Sequence, residues 1–240
     1  MNAKILFFLF LFTIPSGAAQ ADDGECPPYV EPEITSTPYF EDAPYSHSLS
    51  FKDIAAMQNQ YSAVNRYEIS SDPSLITSGL TTHFLHLSSE NTVLLTPTIS
   101  GQLCLQISKV ALKINLTTQG LFIASEIPVN SCSYNDVLEH ELRHVALARK
   151  FLDETTPLVA PQVRAYLFQG GVTRTSMEYK DEALASINQA FQDFLSTSGA
   201  DLFSVLAKQQ KEQIDTPEEY ARLGKVCKGE LSQIIRRSDP

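Results

Sequence analysis

The segment His140-Glu141-Leu142-Arg143-His144 constrains this chain more than any other feature. Two histidines four residues apart on a helix sit one above the other on one face, so both imidazoles can turn to a single divalent ion. Glu141 points to the same side and can reach a water held at an open coordination position. The residue types then dictate the roles. His140 and His144 ligate Zn2+, and Glu141 takes a proton from the water and later delivers it. The flanking sequence supports a helix: Ser133-Tyr134-Asn135-Asp136 reads as a capping box, and Val137, Leu138, Val145, Ala148, Phe151 and Leu152 follow at helical spacing.

The ends of the chain set its compartment. Residues 1–21 read as a signal peptide, with Lys4 at the positive end, an apolar run from Ile5 to Ile14, and Ala19-Gln20-Ala21 as a small-x-small cleavage site. That run is too short to span a bilayer comfortably, so no stable membrane insertion is expected after cleavage and the mature chain is secreted or periplasmic. Export favours disulfides. Four cysteines (Cys26, Cys104, Cys132 and Cys227) allow three pairings, of which Cys104–Cys132 with Cys26–Cys227 is preferred here. The net charge is −10 and no basic cluster exceeds Arg236-Arg237, which argues against a nucleic-acid partner.

Residues 22–50 form a Pro-rich N-terminal arm, and residues 51–240 the domain proper. Ser50-x-x-Asp53 opens a helix carrying Ile54, Met57 and Tyr61 on one side. From Leu80 to Val129 the period is two. Leu103, Leu105 and Ile107 alternate on odd positions, then Val110, Leu112, Ile114 and Leu116 on even ones, which places a β-bulge or a break at Ser108-Lys109. Thr117 to Gly120 reads as a turn, and Leu121 to Ile127 as a last strand that ends at, or lies on, a sheet edge before Pro128. Beyond the motif, Pro157 and Pro161 interrupt the helical pattern, with Pro161 starting a second segment to Phe168. Gly170-Gly171 is a turn. A long helix follows from about Ser176, broken near Ser196 to Ala200, and a last helix runs from Thr216 through Cys227. Strands first and helices afterwards predict an α+β fold: an antiparallel sheet followed by the zinc-binding helix and further long helices.

The motif resembles the zincin class of metallopeptidases. With the strands before it and the long helices after it, the chain also resembles a bacterial family of predicted secreted zinc-dependent proteases. The resemblance implies a zincin-like metallopeptidase domain over residues 51–240, acting on a peptide or protein substrate held along an edge strand, Leu121 to Ile127, by main-chain pairing. That family closes with a tyrosine and a further histidine after the long helix, whereas no histidine follows His144 here. The third zinc ligand is then an acidic residue: Glu218 or Glu219, ahead of Glu178 or Glu182. His83 and His86 rank lower, because three residues apart on a strand they face opposite sides. Tyr220 could donate to an oxyanion, although a packing role suits it better. The rival reading is a non-enzymatic, disulfide-stabilised exported binding or envelope protein.

Overall fold

One strand of 22 residues organises the sheet. The computed structural model describes residues 25–42, 44–65 and 77–238; the signal segment lies outside them. Within that range the order is β1 (Glu33–Glu41), β2 (Tyr45–Ser46), α1 (Phe51–Asn65), β3 (Gly79–Pro97), β4 (Gln102–Ile123), α2 (Cys132–Gly170), β5 (Thr173–Ser176), α3 (Lys180–Gln213), α4 (Pro217–Leu223) and α5 (Val226–Ser238). β4 carries β3 along its whole length on one side. On its other side β5, β1 and β2 follow one another end to end.

The fold is α+β, but the expectation of an antiparallel sheet is overturned. β1 and β2 run parallel to β4, in the order β1-β4-β2, while β3 and β5 pair with it antiparallel. Parallel pairing needs a long crossover, here through α1 and the β3–β4 hairpin, so it leaves no local trace in sequence. The prolines of the arm do not prevent it either. Pro38 sits opposite Ile114 in β1, whose one paired neighbour among the described residues is β4, and such an outer strand tolerates a missing N–H.

The alternation of β4 behaves as its sequence dictates. Thr92 pairs with Lys109 and Val93 with Ile107, which leaves Ser108 as the extra residue of a β-bulge. Its hydroxyl donates to Thr92 O at 3.2 Å. A second irregularity, between Thr82 and His83, leaves Gln119 unpaired, so Thr117 to Gly120 is a bulged continuation of β4 and not a turn. Leu121 to Ile127 is likewise no edge strand. Leu121 and Phe122 are flanked by β2 on one side and β3 on the other, and Ser125 N donates to Leu49 O at 2.8 Å.

The helices are longer than their breakers suggested. α2 runs for 39 residues through Pro157 and Pro161, held down by buried Thr156, Val159, Val163 and Leu167. The Thr155 and Thr156 hydroxyls donate to Phe151 O and Leu152 O, both at 2.7 Å, just ahead of Pro157. Its N-cap is Ser131, whose side chain accepts from Tyr134 N, so the cap falls two residues before the box read from sequence. α3 is continuous through Gly199, which is buried against Leu85 and Leu87 of β3. The last helix is in fact two, α4 and α5, with left-handed backbone at Cys227, Lys228 and Gly229. At α1, Ser50 and Asp53 do form the reciprocal cap, each side chain accepting from the other's backbone N–H at 3.2 and 3.1 Å.

Two apolar clusters result. One joins the sheet to α3 and the later part of α2, through Leu112, Ile114, Phe151, Phe191 and Leu206. The other joins α1, the end of β4, the start of α2 and the C-terminal helices, through Ile54, Ile123, Val137, Leu223 and Leu231. On α2 the motif falls between Val137 of one cluster and Ala148 of the other.

The cystines are Cys26–Cys104 and Cys132–Cys227, which overturns the preferred pairing. Each follows from topology. Parallel β1 brings the arm that precedes it beside the start of β4, and α5 folds back on the start of α2. There Glu230 accepts from Ser133 N at 2.9 Å and Ser133 Oγ at 2.8 Å. Non-reducing peptide mapping is expected to recover these two pairs. Replacing both Cys132 and Cys227 by serine should lower stability to denaturant by about 2–4 kcal/mol.

Candidate metal centre

Both motif histidines are buried, and their Nε2 atoms stand 3.4 Å apart, His140 at 4% and His144 at 6% exposure. A third atom completes a triangle. Asp215 Oδ1 lies 3.3 Å from His140 Nε2 and 3.1 Å from His144 Nε2. Three donors about 2.0–2.1 Å from a tetrahedral zinc would stand roughly 3.3 Å from one another, so the donor set and its spacing suit such an ion. His140, His144 and Asp215 thus form a group that could hold a metal ion.

Asp215 is placed by what surrounds it in the chain. α3 ends at Gln213, buried Ile214 plugs the core, and Ile214 N and Asp215 N both donate to Gln210 O, at 2.9 and 3.0 Å. Thr216 then caps α4 with Pro217 in its first turn. One residue between a helix end and a helix cap has little conformational freedom. The Tyr220 hydroxyl donates to Asp215 Oδ1 at 3.3 Å, and burial, which alone would raise the Asp215 pKa, is outweighed by its bonds to the two histidines, which hold it well below the usual carboxylate range.

Glu219 does not join the ligand atoms. It accepts from Arg222 Nε at 2.9 Å, ion-pairs with Arg143, and lies 3.3 Å from His140 Nδ1. The hydrogen bond from Arg222, joined by Arg143 and His140 and opposed by burial, holds its pKa down to about 2. It is therefore a standing anion. An imidazole proton on Nδ1 shared with Glu219 would leave the Nε2 lone pair of His140 for a metal ion. Burial pulls the His140 pKa down, but the Asp215 hydrogen bond and the nearby carboxylates outweigh it and the net shift is upward.

Glu141 is 3% exposed and sits against β3. Thr81 Oγ1 donates to its Oε2 at 2.8 Å, and a methyl group at position 79 would stand 2.5 Å from its Oε1, so only glycine leaves it room. Burial raises its pKa against the lowering pull of His144, His140 and Thr81. A recess of about 70 Å3 joins Gly79, Thr81, Glu141, both histidines, Asp215 and Tyr220, with room for an ion and a few waters.

The other ligands expected from sequence are elsewhere. Glu178, Glu182 and Glu218 are exposed and outside the group. His86 is exposed and stacks on Phe84. His83 is buried beside the site, 3.2 Å from Thr118 Oγ1, yet it lies outside the ligand group. Sequence reasoning missed Asp215, Gly79 and Thr81. Only Asp215 carried a signal, its position directly before the Thr216-Pro217 cap.

Comparison with known proteins returns no matching family model, no matching curated relative and no matching solved structure.

Two outcomes follow from this geometry. Asp215→Ala should weaken divalent-metal binding at least ~10-fold in a competitive chelator titration, whereas Glu218→Ala and Glu182→Ala should leave it unchanged. Burial, with His144 adding to it, lowers the His83 pKa to about 3. The unfolded chain then binds more protons than the folded one below about pH 6.5, so stability is full above that value and falls as pH drops towards 3. In metal-free protein, the melting temperature of His83→Gln should fall less between pH 7 and pH 4 than that of the wild type.

Proposed function

We propose that this protein is an exported zinc-dependent metallopeptidase that hydrolyses peptide bonds. The observation that carries the reading is the ligand triangle of His140, His144 and Asp215 with a buried carboxylate, Glu141, opening into the same recess. Zinc, when bound, polarises a carbonyl and lowers the pKa of water. Glu141 is the general base, taking the water proton at a carboxylate oxygen and handing it to the leaving amine. Its raised pKa brings it nearer to neutrality, which suits a group that must both accept and release a proton. Thr81 and Gly79 fix its rotamer, and Glu219 with its two arginines fixes the ring of His140. The Tyr220 hydroxyl, which donates to Asp215 Oδ1 at 3.3 Å, steadies that carboxylate.

Export is part of this reading. It rests on the signal-like residues 1–21 and on two cystines, which persist in oxidising compartments. Among the described residues no helix is long and apolar enough to cross a membrane. The substrate is a peptide or protein; a net charge of −10 argues against nucleic acid.

The mature protein should carry about one equivalent of zinc and cleave an unstructured protein such as casein in a chelator-sensitive way. Glu141→Gln should keep the zinc and lose at least ~1000-fold in kcat/KM, and His140→Ala or His144→Ala should lose the metal. Gly79→Ala should keep the zinc and lose activity by displacing Glu141. Undiminished cleavage by Glu141→Gln would remove the mechanism, and tightly bound zinc with no cleavage would favour a binding protein.

A further inference from the structure

A second cavity, of about 420 Å3, lies between the end of α2, the first half of α3 and the start of β4. It shares no lining residue with the metal centre. Its walls include Leu105 and Ile107 of β4, Tyr166 of α2, and Ile187 and Phe191 of α3, with Gly170 and Gly171 at one end. Its size falls in the range of small-molecule sites, roughly 300–1,000 Å3. Although the chain carries a net charge of −10, none of the lining side chains is charged.

The arm closes one side of this cavity and holds Tyr29 against it. The Cys26–Cys104 disulfide anchors the arm on β4, and Val30 N donates to Gln106 Oε1 at 3.2 Å while Gln106 Nε2 donates back to Val30 O. The Tyr29 ring meets Phe168 edge-on at 5.5 Å. Its hydroxyl is buried and, among the described residues, has no hydrogen-bond partner, whereas a buried tyrosine hydroxyl ordinarily finds one. The other phenol of the cavity is already used, since Tyr166 OH donates to Ala190 O at 3.0 Å.

We infer that this cavity binds a small neutral amphiphile, an apolar body whose single carbonyl or hydroxyl oxygen accepts a hydrogen bond from Tyr29. The lining offers an anion no cation, and the nearby Arg164 is paired with Glu31. An apolar molecule with one acceptor satisfies both the uncharged walls and the stranded hydroxyl.

The test uses mature protein and the neutral fluorophore N-phenyl-1-naphthylamine, whose emission is unobscured because the chain has no tryptophan. Saturable one-to-one binding is expected. Ala183→Phe or Ser186→Phe, which fill the cavity from α3, should weaken it at least ~10-fold. Displacement by 2-acetylnaphthalene should be about 3- to 10-fold stronger than by 2-ethylnaphthalene, which has the same shape but no acceptor. Tyr29→Phe should keep fluorophore binding and abolish that preference. Absence of saturable binding, equal binding by folded filling variants, or a preference that survives Tyr29→Phe would each overturn the proposal.

Discussion

Two imidazoles and a carboxylate held in mutual contact inside the molecule are the constraint on which the rest depends. Partly burying Asp215 beside the buried His140 and His144 is costly unless each polar atom is matched, because desolvation penalises a charge far more than a neutral group. The protein meets that cost locally. Asp215 accepts from Tyr220 as well as facing both rings, and Glu219 is held between Arg143 and Arg222 while touching the other nitrogen of His140. A divalent ion among three such atoms would replace close contacts between them with coordination bonds.

The architecture can be read as the means of assembling that cluster. The motif supplies two candidate ligand atoms and a carboxylate from adjacent turns of α2. The third candidate arrives 71 positions later, after α3 has run back along the sheet and ended at the site. β3 supplies the opposing wall, where a glycine and a threonine define the place of Glu141. The two apolar clusters meet α2 on either side of the motif, so the polar group sits at their seam. The Cys132–Cys227 cystine and the Glu230 contact fasten the start of this helix to the chain's last element.

Local chemistry was legible in sequence and long-range pairing was not. The helix that bears His140 and His144, the bulge at Ser108 and the Ser50–Asp53 cap were all read correctly, because each depends on residues within a few positions of one another. The parallel pairing of β1 with β4 joins segments about 76 positions apart and has no local signature. The wrong cystines and the wrong edge strand both follow from that one gap. The breakers Pro157, Pro161 and Gly199 misled because tertiary packing overrides local preference in helices this well anchored. Asp215 was passed over for its glutamate neighbours, although the cap at Thr216 marked an acidic residue whose backbone is fixed on both sides.

The most direct measurement is a crystal structure of the zinc-loaded mature protein with anomalous scattering recorded at the zinc edge. One strong peak is expected within about 2.0–2.2 Å of His140 Nε2, His144 Nε2 and an Asp215 carboxylate oxygen, with a remaining coordination position facing Glu141. A peak held by other residues, or rings of His140 and His144 turned away from each other around an empty recess, would contradict it.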